Sequence, residues 1–276
     1  MRLPRVFKFL AIILLSSVFM WCGRRQGITV STHPTDVNLA ASKIGSYNAS
    51  GHATDLHGNP IQGVTVEFDQ GLHPITTGYD GEWAVFGLTG TVTATPRKDG
   101  WTFSPDSLAI AGETAGANFA GRFAVSGRVT DTLGHPVPYA TLSFVGNSTP
   151  ITADADGYWS ENQLSGPTTI TASKGGWTFS PASLKVSAPD SDVDFSGTFF
   201  VGGRITRADG TPAGSVRVDF TGGHSSVYSG LDGRWIKTGL CGNVTVTPSL
   251  PDRAFAPASI NVSGPDNHVD FSEANS

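Results

Sequence analysis

Charge is scarce in this chain. Charged residues make up 15% of its 276 positions, against about 25% in ordinary soluble proteins. Cations are the rarer sign, with 18 Lys and Arg against 23 Asp and Glu for a formal net charge of −5. Without Arg2, Arg5 and Lys8, the cations of the first 21 residues, that charge falls to −8. Little basic surface remains to neutralise phosphates, which argues against nucleic acid as a partner. Cysteine and methionine are scarce too, with two of each, so no disulfide framework holds the fold. No helical period is found beyond the N-terminal segment. What the chain does have is 34 glycines and frequent Ser and Thr, a composition suited to extracytoplasmic β-structure.

The residues also repeat. Gly51, Gly127 and Gly203 stand 76 positions apart, as do Pro60, Pro136 and Pro212. The same phase joins Asp80, Asp156 and Asp232, then Trp83, Trp159 and Trp235, and finally Phe119, Phe195 and Phe271. A 76-residue period exceeds the usual solenoid unit and falls in the size range of a small self-sufficient domain. Three copies are expected, at 47–122, 123–198 and 199–274. Cys241 lies outside the phase, where the other copies have Thr89 and Ser165, and reads as a small buried residue.

Ahead of the copies, Arg2, Arg5 and Lys8 precede an apolar run, Phe9–Trp21, broken only by Ser16 and Ser17. A basic start followed by a run too short to span ~30 Å of hydrocarbon comfortably is a signal-peptide pattern. The segment 1–22 ends Phe19-Met20-Trp21-Cys22 and resembles the lipobox of bacterial lipoproteins, in which the cysteine becomes lipidated. It departs from that pattern at Trp21, where a small residue is preferred. An uncleaved anchor and secretion from an atypical cleavage site are the alternatives. Residues 23–46 lack any period and read as a flexible tether.

Each copy reads as strands. A Gly-x-Pro turn (Gly58–Pro60 and its equivalents) is followed by period-two alternation at Val64, Val66 and Phe68, at Ala140, Leu142 and Phe144, and at Val216, Val218 and Phe220. That is a strand with one buried face. Asp80-Gly81, Asp156-Gly157 and Asp232-Gly233 are hairpin signals. Alternating Thr residues and a Phe-x-Pro-x-Ser unit complete the copy. The expected fold is all-β, three tandem antiparallel sandwiches of seven or eight strands, of transthyretin or Ig-like type.

This order of motifs resembles the carboxypeptidase regulatory-like domain, a transthyretin-like sandwich grouped with carbohydrate-binding-like and Cna-B-type folds. The resemblance covers all three copies and implies structural or accessory modules on exported proteins. Some Cna-B-type domains form a Lys–Asn isopeptide bond between first and last strands. Here those positions hold His52, Arg128 and Arg204 against Asn118, Asp194 and Asp270, so the lysine is missing.

Chemistry-bearing constellations are few. None of the seven histidines recurs in every copy, and no HExxH, phosphate loop or nucleophile elbow is present. No catalytic residue, cofactor or metal is assigned. Asp190, Asp192 and Asp194 alternate as calcium ligands can, but the first copy has Thr114, Gly116 and Asn118 there, and a solvated strand entry is the simpler reading. Trp101 and Trp177 become Arg253 in the third copy. A position accepting both residues belongs at the rim of a sandwich, where a Trp can stack on sugar rings or pack on the Phe two residues later. The expectation is a non-enzymatic, extracytoplasmic envelope protein, tethered to the membrane through Cys22 or a signal anchor. It would act as stalk, spacer or interaction module toward a protein or glycan. The alternative is a carbohydrate-binding surface protein using Trp101 and Trp177.

Overall fold

A computed structural model describes residues 45–146 and 149–274. The expected signal segment, Cys22 and nearly all of the tether lie outside the described residues. Within them every regular element is a strand, and the fold is all-β.

The first copy folds as β1 (Tyr47–Asp55), β2 (Thr65–Phe68), β3 (Ile75–Thr76), β4 (Glu82–Leu88), β5 (Val92–Arg97), β6 (Trp101–Ser104) and β7 (Leu108–Ile110). A long strand, β8 (Phe119–Asp131), leads into the second copy. That copy continues as β9 (Thr141–Phe144), β10 (Ile151–Thr152), β11 (Tyr158–Leu164), β12 (Thr168–Ser173), β13 (Trp177–Ser180) and β14 (Leu184–Val186). A second long strand, β15 (Phe195–Thr206), opens the third copy. It proceeds through β16 (Arg217–Phe220), β17 (Val227–Tyr228), β18 (Arg234–Leu240), β19 (Val244–Ser249), β20 (Phe255–Ala256), β21 (Ile260–Val262) and β22 (Phe271–Glu273).

Each copy builds one four-stranded antiparallel sheet of its own, ordered β3-β2-β5-β7, β10-β9-β12-β14 and β17-β16-β19-β21. The remaining strands form a ten-stranded sheet whose spine is β20-β22-β15-β8-β1-β4. The sandwich layers meet as the alternation requires. Val66 and Phe68 turn inward from β2, as do Leu142 and Phe144 from β9 and Val218 and Phe220 from β16. Between the layers stand Trp83, Trp159 and Trp235, no more than 5% exposed. Trp83 lies 5.9 Å from Phe68 and 6.1 Å from Phe119 between ring centroids. Trp159 and Trp235 meet Phe144 and Phe220 at 6.2 and 5.9 Å.

The phased glycine of the first strand has a steric cause. A Cβ on Gly51, Gly127 or Gly203 would run into the backbone carbonyl of Ala117, Val193 or Val269. The next amide is held from the same side, with Asn118, Asp194 and Asp270 accepting the N–H of His52, Arg128 and Arg204 at 2.8, 2.6 and 2.6 Å. The pair of positions weighed for an isopeptide bond thus carries a hydrogen bond in every copy.

The structure differs from the sequence expectation at the copy boundaries. The last strand of one copy and the first of the next are one strand, and the expected limits 122/123 and 198/199 fall inside β8 and β15. The cause is unbroken alternation: Phe119, Gly121, Phe123, Val125, Gly127, Val129 and Asp131 all face inward.

Candidate functional site

The feature that sets this chain apart from separate sandwiches is the junction between copies. β8 serves both sides of it. Phe119–Gly121 pair in parallel with Ala53–Asp55 of β1, and Ala120–Phe123 pair antiparallel with β6. Farther on, the strand pairs with β11 of the second copy. β15 repeats the arrangement between the second and third copies, pairing with β8, β13 and β18.

Aromatic packing locks each junction. Trp101 stands opposite Phe123 across the β6–β8 ladder with ring centroids 5.1 Å apart, and its other neighbour Phe103 is 6.4 Å away. Trp177 meets Phe199 at 5.2 Å and Phe179 at 6.2 Å. Gly121 and Gly197 lie beneath these rings. A Cβ there would collide with Ile61 and press on Trp101 in the first case, and would approach Phe179 to 2.8 Å in the second. The residue before each Trp completes the contact, Gly100 O accepting from Ala124 N at 3.0 Å and Gly176 O from Phe200 N at 3.2 Å.

Polar groups add direction. In the second copy the buried Asp131 Oδ2 accepts the N–H of Gly242, from the third copy, at 2.8 Å. His135 Nδ1 is 3.0 Å from the same oxygen, while Oδ1 accepts the amides of Leu133 and His135. Burial alone would raise this carboxyl's pKa. The hydrogen bonds from His135, Gly242 and Leu133 outweigh it and hold Asp131 below the usual carboxylate value. At the first junction Leu56 N donates to Ser165 O at 3.0 Å and Arg122 Nη1 to Gln163 O at 3.1 Å. The loop leading to each Trp is tied down by a lysine, Lys98 donating to Gln62 O and Lys174 to Pro138 O. Burial holds Lys174 below the usual lysine value.

The outer ends are built differently. Position 47 is Tyr where the second and third copies have Phe123 and Phe199, and its hydroxyl lies 2.6 Å from Gly90 O and 2.7 Å from Ile110 O. In the third copy Lys, Trp and Gly give way to Leu250, Arg253 and Glu273, and Asp131 to Arg207.

The residues singled out from sequence are placed as follows. Trp101 and Trp177 are half-buried, each packed against the hydrophobic clusters on both sides of its junction. They are not free-standing rim platforms, because the following copy supplies the Phe that covers one side. Cys22 lies outside the described residues. Cys241 is half-buried rather than fully buried. Asp190 Oδ1 accepts Asp192 N, and Asp194 Oδ1 accepts Arg128 N. Among the described residues no group of His, Cys, Asp and Glu is arranged to hold a metal. Asp80 and Asp232 cap the amides of Glu82 and Arg234, whereas in the second copy Asp154, not Asp156, accepts Tyr158 N at 2.8 Å. The sequence marks Gly121–Val125 and Gly197–Val201 as short junctions with little slack, but gives no local motif for the place of Gly121 beneath Trp101 or for the role of Asp131. Their signal was the alternation that runs through the boundary.

No protein-family profile and no curated protein matches this chain. Among solved structures it is similar to the Bacillus anthracis TIE protein, at 12% identity and a TM-score of 0.30, covering 83% of this chain and 51% of that one. It is similar to a Streptococcal ancillary pilin at 8% identity and a TM-score of 0.25, over 84% of this chain and all of that one. BcpA, the major pilin subunit of Bacillus cereus, aligns at 8% identity and a TM-score of 0.28 over 84% of this chain.

Proposed function

We propose that the chain is a non-enzymatic stalk of the cell envelope. Three sandwich modules, 47–122, 123–198 and 199–274, would hold the distal end of the third at a set distance from the membrane. The observation that carries this reading is the passage of β8 and β15 from one copy to the next without a linker. Domains joined by flexible linkers move relative to one another by default. A shared strand with a Trp–Phe lock removes that freedom. Anchoring through an acylated Cys22, followed by the tether 23–46, belongs to the same proposal. A saccharide platform at Trp101 and Trp177 does not, since those rings are engaged in the junctions.

Spin-label distance measurement on the full chain, with labels on exposed positions of the first and third copies, tests this reading. A narrow distance distribution is expected, broadened by a Gly-Ser insertion between Arg122 and Phe123. A broad distribution in the unmodified chain would refute the stalk.

A further inference from the structure

We propose that the outer face of the third copy, around Arg204 and Arg234, docks an extended acidic segment of a partner protein. The β15–β18 register sets Arg204 directly opposite Arg234. Opposed residues on neighbouring strands have Cβ atoms about 4.5–5.5 Å apart, and like charges so placed destabilise a sheet. The other copies avoid this. The same positions pair His52 with Glu82 in the first copy. In the second they pair Arg128 with Tyr158, the guanidinium lying 4.9 Å from the ring centroid. Only the third copy sets two arginines together.

Both arginines are exposed, and among the described residues neither guanidinium takes part in an ion pair or hydrogen bond. Asp270 and Asp232 are close by, but the bonds they accept come from the backbone amides of Arg204 and Arg234. Two uncommitted guanidinium forks side by side suit a carboxylate, which each can grip through two N–H groups.

Beside the arginines runs an open groove of about 450 Å³ lined by Phe200, Gly202, Tyr228, Ile236 and Asn267. Tyr228 and Ile236 are 64% and 60% exposed. The equivalent positions are Ala124, Ser126, Thr152 and Ser160 in the second copy and Asn48, Ser50, Thr76 and Ala84 in the first. The apolar lining is therefore particular to the same copy as the arginine pair. Tyr228 and Ile236 thus stand in solvent in one groove together with Arg234.

Backbone supplies the third component. β18 pairs only with β15. On its outer edge Arg234 N and O are engaged by Asp232 and Gly230. From Ile236 onward that edge presents N–H and C=O groups to an incoming extended chain, the geometry of strand addition. A peptide offers all three complements at once: carboxylates for the arginines, an aliphatic side chain for the groove and a backbone for the edge. An acidic saccharide offers only the first. The proposal extends the stalk reading by giving the distal copy a partner, and binding in solution does not require that reading.

Fluorescence anisotropy with the full chain and a labelled peptide of alternating Leu and Asp is the test. Saturable binding is expected, weakened at least about tenfold by Arg234→Glu and likewise by replacing the peptide's Asp residues with Asn. Ile236→Ser should also weaken it, and Arg217→Glu, on another sheet, should not. Arg234→Glu should at the same time raise the melting temperature by relieving the like-charge contact, a readout that separates lost binding from lost folding. Absence of saturable binding, binding indifferent to Arg234→Glu, or binding of an oligogalacturonate in place of the peptide would each overturn the proposal. None of these results would alter the distance distribution that tests the stalk.

Discussion

Arg253 Nη1 lies 3.5 Å from Glu273 Oε2, at the two positions that hold Trp101 and Gly121 in the first copy and Trp177 and Gly197 in the second. The exchange is paired. A large ring requires a bare backbone beneath it, and where the ring is replaced by a guanidinium the glycine is replaced by a carboxylate. The third copy thus carries an ion pair where the other two carry a junction.

Filling the space beneath a junction ring tests this relationship. Gly121→Ala places a methyl against Ile61 and Trp101 and should destabilise the chain by about 1–3 kcal/mol through overpacking. Urea unfolding checks it. An unchanged midpoint would mean the ring and the backbone are not in contact.

Trp159→Ala should cost about 3–5 kcal/mol, the range for emptying a buried aromatic site. The loss should fall on the second copy, whose core this Trp fills. Calorimetry of the variant is expected to show an early transition ahead of a later one from the remaining copies. A single unshifted transition would remove Trp159 from the core.

Residues 123–198 retain nearly the whole of the second hydrophobic cluster and should fold alone as β-structure, with a stability on the order of 5 kcal/mol or less. The isolated fragment leaves Phe123 without Trp101 and Asp131 without Gly242. It should therefore melt below the same copy in the full chain. Circular dichroism decides, and a disordered fragment would show that the copies are not independent.

Asp131 makes the second junction sensitive to acid. Its pKa is lowered in the folded chain, so its contribution is fully present above the unfolded value of about 3.9 and is lost as pH falls through the lower folded value. Asp131→Asn should cost about 1.5–3 kcal/mol at neutral pH, the scale of hydrogen bonds to a charged group. The deficit should shrink toward zero in strong acid. Melting temperature against pH for both proteins gives the difference curve, and a flat deficit would refute the assignment.

Cys22 is expected to be the acylated first residue of the mature chain. Mass spectrometry of the native N-terminus is the measurement, and an unmodified peptide spanning Trp21 and Cys22 would refute it.

Much of each copy was legible from alternation. Val66 and Phe68 on β2, the Trp after each hairpin and the glycine of the first strand all fell where period and phase put them. The junction was legible only as a short connection at Gly121–Val125, because the pattern of one copy does not show that its last strand continues as the first strand of the next. Only the parity of Phe119, Phe123 and Val125 identifies one continuous strand. Trp101 and Trp177 stand out in the sequence, since Arg253 takes their place. Their partners lie in the following copy, beyond the reach of local pattern. The arginine pair of the third copy was hidden for a similar reason, since Arg204 and Arg234 become neighbours only through strand register.

The parallel pairing at the copy ends has a mechanical consequence. Within the first copy the opening strand and the outgoing strand lie side by side, Ala53 beside Phe119 and Asp55 beside Gly121. The second copy repeats this with Val129 beside Phe195, and the third with Ile205 beside Phe271. Tension along the chain pulls two such neighbours in opposite directions along their length. Their hydrogen bonds are then strained together in shear rather than opened one after another as a zipper. A tether drawn outward from an anchored surface would meet that resistance in each copy in turn, with the junction strands passing the force on.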